Sequence, residues 1–102
     1  MALTKLVAEV KIVRDKFVGQ EYLILHNSNF SLKYDGKGTL ASIQNIDPPC
    51  ISAGEEGFGT LVVLSPESLG NNFLDETCIP VEILGEVIAR CYVIKKKIVE
   101  VE

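Results

Sequence analysis

Leu6-Val7-Ala8-Glu9-Val10-Lys11-Ile12-Val13-Arg14 alternates with a period of two. Leu6, Ala8, Val10 and Ile12 point one way; Val7, Glu9, Lys11 and Val13 point the other. That period belongs to a strand with one buried face, since a helix would repeat near 3.6 residues. The outer set is only half polar, so Val7 and Val13 are expected to be partly covered.

The same period recurs downstream. A turn-rich link containing Gly19 leads to the short apolar run Tyr22-Leu23-Ile24-Leu25. After His26-Asn27-Ser28-Asn29, the residues Phe30, Leu32 and Tyr34 alternate with Ser31 and Lys33. Asp35-Gly36 is a hairpin signal because both positions tolerate positive φ. The partner strand is expected over 39–46. Asp47-Pro48-Pro49 ends it, because proline has no N–H to donate to a ladder. A turn over 52–57 precedes an apolar, β-branched strand over 59–64. Ser65 is placed as N-cap of at most one helical turn at Pro66-Glu67-Ser68-Leu69, which Gly70-Asn71-Asn72 would end. The last element is a hairpin: a strand over 77–84, a turn at Gly85-Glu86, and a strand over 87–94. Lys95-Lys96-Lys97 is expected to interrupt it, with Ile98 to Val101 as an extension. No segment sustains a helical period. Short strands with turns at close intervals imply an all-β sandwich or closed barrel.

The bulk numbers agree. With 102 residues, 47% hydrophobic and 24% charged, the chain is an ordinary globular size and composition, so one domain over 1–102 is expected. A chain of this size buries roughly two-thirds of its unfolded surface, enough for a core without staples. The formal net charge of -4 argues against a surface that tracks phosphates. No run of apolar residues is long enough to span a membrane, and no signal-peptide h-region follows Met1-Ala2-Leu3-Thr4-Lys5. The cysteines Cys50, Cys78 and Cys91 are odd in number and match no zinc or CxxC spacing. Reduced, inert thiols in a cytoplasmic protein are the simplest expectation.

Nothing assembles into a catalytic site. The single histidine, His26, lies in a turn cluster. It could pair with a cysteine as base and nucleophile, but Cys78 and Cys91 fall inside strands, where packing explains them better. Only Cys50, after two prolines, is expected to be exposed. Glu55-Glu56 and Asp75-Glu76 are turn carboxylates, and no calcium-loop spacing is present. Gly54, Gly57 and Gly59 lack the Lys-Ser/Thr and helix of a phosphate loop. The expectation is a non-enzymatic protein that needs no cofactor and no metal. Lys95, Lys96 and Lys97, near Arg90 and Lys11, are a candidate basic patch, against the plainer reading of a solvated run that protects an edge. The aromatics Tyr22, Phe30, Tyr34 and Phe73 read mainly as core.

Several stretches, taken in order, resemble one family. Lys5-Leu6-Val7-Ala8-Glu9-Val10 followed by Ile12 resembles the opening strand, Lys-Phe-x-Ala-Glu-Val, of the C-terminal (third) barrel domain of bacterial elongation factor Tu. Asn29-Phe30-Ser31-Leu32 is similar to its Gln-Phe-Tyr-Phe strand. Gly38-Thr39-Leu40-Ala41-Ser42-Ile43 is similar to its Val-Thr-Gly-x-Ile segment, and Ala53-Gly54-Glu55-Glu56 to its Pro-Gly-Asp/Glu turn. Thr60 to Leu64 resembles the strand after that turn, and Ile79 to Val93 the closing hairpin. The resemblance covers nearly the whole chain and implies a six-stranded antiparallel Greek-key β-barrel. The departures bear on function. No nucleotide-binding domain lies in these residues, so no GTPase activity is carried over. The family's Arg-Pro before the Gln-Phe strand has no counterpart around Ser28-Asn29. The glycine-rich end of the closing hairpin becomes Ile88-Ala89-Arg90-Cys91. In elongation factor Tu that surface helps hold the T-stem of aminoacyl-tRNA, and side chains in place of glycines change a close backbone approach. Binding to tRNA is therefore not transferred.

A free-standing barrel of this kind is expected to bind another protein through faces that pack on neighbouring domains in the family. The expected signature is an exposed apolar patch drawn from Val7, Val13, Phe17, Leu69 and Phe73. Mimicry suggests one version, an immunity or antitoxin-like protein that blocks a toxin directed at elongation factor Tu. An RNA-binding accessory protein of translation, using Arg90, Lys95, Lys96 and Lys97, ranks second, and a small cysteine enzyme third. An edge strand ending in Ile98-Val99-Glu100-Val101 is able to pair with a copy of itself as a homodimer, although the lysines beside it oppose that.

Overall fold

The computed structural model describes residues 3–17, 22 and 24–101; the expected turn at Gly19 lies outside them. The elements are β1 (Leu3–Arg14), β2 (Ile24–Leu25), β3 (Ser28–Tyr34), β4 (Lys37–Asp47), β5 (Cys50–Ile51), β6 (Glu56–Leu64), β7 (Cys78–Ile83) and β8 (Glu86–Val101). Two 3-10 turns, Pro66–Leu69 and Asn71–Asp75, separate β6 from β7. The expected all-β class holds. Six strands form one antiparallel sheet in the order β3-β4-β6-β1-β8-β7, and β2 pairs with β5 in a small second sheet. The large sheet curls so that its edge strands β3 and β7 approach each other, giving a nearly closed barrel.

Alternation along each strand fills the interior. Leu6, Ala8, Val10 and Ile12 of β1 meet Phe30 and Leu32 of β3, Ala41 and Ile43 of β4, Leu61 and Val63 of β6, and Ile79 and Val81 of β7, all buried. Ala89 and Cys91 of β8 complete the layer. Gly57 is required by space rather than by turn geometry. A Cβ on Gly57 would stand 2.6 Å from Ile51 Cδ1 and 2.8 Å from the Asp47 carbonyl oxygen.

The ends are closed differently. At one end Leu69 and Phe73 of the 3-10 turns are 1% and 2% exposed, and the Phe73 ring meets Tyr34 edge-on at 5.3 Å. At the other, Arg14 continues the inward parity of β1 and is 3% exposed. Its Nη1 donates to the carbonyls of Tyr22 (3.0 Å) and Ile51 (2.8 Å). The buried guanidinium thus ties β1 to the chain entering β2 and to β5 through two backbone carbonyls.

Two boundaries and one capping bond differ from the sequence reading. The last hairpin turns at Leu84-Gly85, both at positive φ (51° and 84°), not at Gly85-Glu86. The lysine run does not interrupt β8, which continues through it with a bulge opposite Glu9/Val10. Ser65 does stand at the N-cap of the first 3-10 turn, but its side chain makes no capping bond; the Ser68 hydroxyl instead donates to the Ser65 carbonyl.

Candidate binding surface

The outward residues of the sheet fall into cross-strand rows. Val7 stands between Val62 of β6 and Lys97 of β8, and Glu9 between Thr60 and Lys95. Lys11 stands between Phe58 and Tyr92, and Val13 between Glu56 and Arg90. Towards the 3-10 turns, Lys5, Leu40, Ser42, Val62 and Leu64 line one shallow depression. Such neighbours lie close enough for side chains to interact directly. The face therefore mixes apolar groups with charges, Lys11 standing between Phe58 and Tyr92. Leu40 and Phe58 are 61% and 55% exposed, and Val7 and Val13 are half-buried as the alternation predicted.

The charges are unevenly spread. On β1, β6 and β8 this face presents Lys5, Lys11, Arg90, Lys95 and Lys97 against Glu9 and Glu56, in a chain of net charge -4. Lys11 and Glu56 form an ion pair at 3.3 Å with both side chains in water, so the pair is worth little.

The candidate residues from the sequence do not all come together. Arg90, Lys95 and Lys97 share the outer face. Lys96, one residue out of phase, projects to the opposite face, where its ammonium donates to the Leu74 carbonyl. Phe17 is 78% exposed but lies beyond β1, past the Arg14 end. Leu69 and Phe73 are not surface residues: they close the barrel interior, and an exposed patch built on them is ruled out by their burial. The residues missed were Phe58, Tyr92, Leu40 and Leu64. Their signal was the period itself. Leu61, Val63 and Cys91 point inward, which sends Phe58, Leu64 and Tyr92 outward.

Of the groups considered for chemistry, Cys78 opposes Tyr92 and Glu56 pairs with Lys11 on this face, while His26 and Cys91 lie off it. The His26 Nδ1 accepts the Asn45 N–H at 2.8 Å, where Asn45 takes positive φ beside the β4 bulge. Cys91 is fully buried; burial first, and the neighbouring Cys78 second, push its thiol up to about 12. Cys50 and Cys78 are half-buried free thiols, so Cys50 is not the only accessible one. Among the described residues no cluster of three or more His, Cys, Asp or Glu is placed to hold a metal ion, and no helix is long and apolar enough to cross a membrane. A scan against protein-family models matches none, and no significant match is found among curated proteins or solved structures.

Proposed function

We propose that this chain is a non-enzymatic, protein-binding barrel of the elongation factor Tu C-terminal type, and that it holds its partner on the outer face of β4, β6, β1 and β8. The strand order supports the Greek-key part of that reading: β3, β4 and β6 follow one another as neighbours, and β1 returns beside β6. The observation that carries the functional part is the composition of one continuous face. Leu40, Leu64, Val62, Phe58 and Tyr92 stand outward where a monomer with no partner would favour polar groups, and lysines lie beside and between them. Tyrosine and arginine are enriched at protein interfaces, and Tyr92 and Arg90 both stand on this face, with Lys11 set between Phe58 and Tyr92. The partner this face fits has an apolar patch rimmed with carboxylates. A cytoplasmic setting goes with this reading, and all three cysteines are free.

The test is affinity capture with the tagged chain and with L40E/L64E, whose changes lie on the outer face and leave the core intact. The wild type retains a stoichiometric partner and the variant loses it at unchanged circular dichroism. Equal capture by both, or capture of nothing by the wild type, overturns the proposal. One observation favours RNA as a second reading: Phe58 and Tyr92 flank Lys11 in one row, with Arg90, Lys95 and Lys97 nearby. Exposed aromatics among cations are how single strands are stacked. That reading requires binding that weakens steeply with salt and with Tyr92→Ala. No RNA shift at low salt removes it.

A further inference from the structure

Past Val93, strand β8 runs on alone on one side. The last β7–β8 pair is Cys78 with Tyr92, followed by the Val93 N–H donating to the Thr77 carbonyl at 2.8 Å. From Lys95 to Val101, β8 pairs with β1, ending at Leu3. Among the described residues no strand lies along its other edge. An antiparallel strand sends alternate peptide groups to each side, so this edge carries a row of donors and acceptors open to a further strand.

We propose that a second copy of the chain adds to this edge, β8 against β8, about a two-fold axis at Ile98. The charges single out this register. A two-fold axis normal to the sheet keeps each face on its own side, so only registers centred on a residue are allowed. Centred on Ile98, Lys96 opposes Glu100 of the second copy, and Glu100 opposes its Lys96. Lys97 opposes Val99, and no lysine faces a lysine. Centred on Lys97, two Lys97 side chains meet on the axis. Centred on Val99, Ile98 opposes Glu100, and Lys96 finds an opposite charge only at Glu102, past the end of β8. Opposed unlike charges stabilise a cross-strand pair, and like charges destabilise it. Ile98, 48% exposed in the single chain, covers its own counterpart at the axis. The Lys96 ammonium has three donors, so it can keep the Leu74 carbonyl and still meet the carboxylate. The lysine run thus selects one pairing and opposes others.

The test is sedimentation equilibrium of the whole chain from about 1 μM to about 1 mM. A monomer–dimer equilibrium is expected within that range. K96E sets a carboxylate against Glu100 of the second copy, and E100K sets an ammonium against its Lys96. Each single variant is expected to weaken the dimer about tenfold, and K96E/E100K to restore it. The double variant lacks the bond to Leu74 as K96E does, so recovery separates pairing from damage to the fold; urea midpoints verify that each chain is folded. A monomer at every concentration, a dimer indifferent to both single changes, or a double variant as weak as the singles overturns the proposal.

Discussion

Two buried polar groups lie in the same interior, with different consequences. Arg14 was readable in the period, since it continues the inward series Leu6, Ala8, Val10, Ile12. Its meaning was not readable, because the carbonyls it serves belong to Tyr22 and Ile51, remote in sequence. Burial lowers its guanidinium below the usual arginine value, with the Cys50 charge opposing that; it stays a cation. Cys91 is the opposite case. Its thiol is raised from 9.0 to about 12, so the folded chain keeps a proton that the unfolded chain releases near its ordinary value. Above pH 9 the unfolded state therefore binds fewer protons, and stability falls as pH rises towards 12. The slope approaches about 1.4 kcal/mol per pH unit for one such group. Urea denaturation across that window is expected to show the decline, and Cys91→Ala is expected to be less stable at neutral pH but flatter. The Tyr34 phenol, raised by donating to Glu76, titrates in both chains and cancels in the difference. Identical slopes would show that Cys91 ionises no differently in the two states.

At the scale of elements, the sequence was most legible where local chemistry and tertiary position agree. Asp35-Gly36 was read as a turn of positive φ and is one, at 50° and 76°. The last hairpin was misplaced by one residue because leucine gives no turn signal, yet Leu84 holds φ 51° and is 88% exposed. What fixes it there is the β7–β8 register, in which Ile83 faces Glu86 and leaves only two residues for the loop. Asparagine accepts that conformation more readily than leucine. Leu84→Asn is therefore expected to raise stability by about 0.5–1 kcal/mol. A thermal scan that shows no rise in midpoint would mean that Leu84 makes a compensating contact. The lysine run misled for a related reason. Three consecutive lysines look like a break, but β1 supplies a partner for every one of them, Lys95 opposite Glu9, Lys96 opposite Ala8 and Lys97 opposite Val7. Strand continuity was decided by pairing, which no local window contains.

At the scale of the molecule, this six-stranded sheet curls until β3 and β7 approach, and its closure depends on segments that are not strands. β1, β6 and β8 hold the middle of the sheet by long ladders. The seam between β3 and β7 has no ladder among the described residues. It is covered instead by the 3-10 turn Asn71–Asp75, with Phe73 against Tyr34 and the Tyr34 hydroxyl donating to Glu76 at 2.7 Å. That is why Phe73, read from sequence both as core and as part of a docking patch, belongs wholly to the core. Removing it should act on the seam before the middle. Phe73→Ala is expected to cost about 3–5 kcal/mol, the usual range for a buried phenylalanine whose site does not collapse. It is also expected to localise: amide exchange should quicken in β3 and β7 well before it quickens in β1 and β6, because the seam then opens without global unfolding. Exchange that rises equally in all six strands would mean that the barrel opens only as a unit, and that the packing of Phe73 on Tyr34 does not govern where it parts.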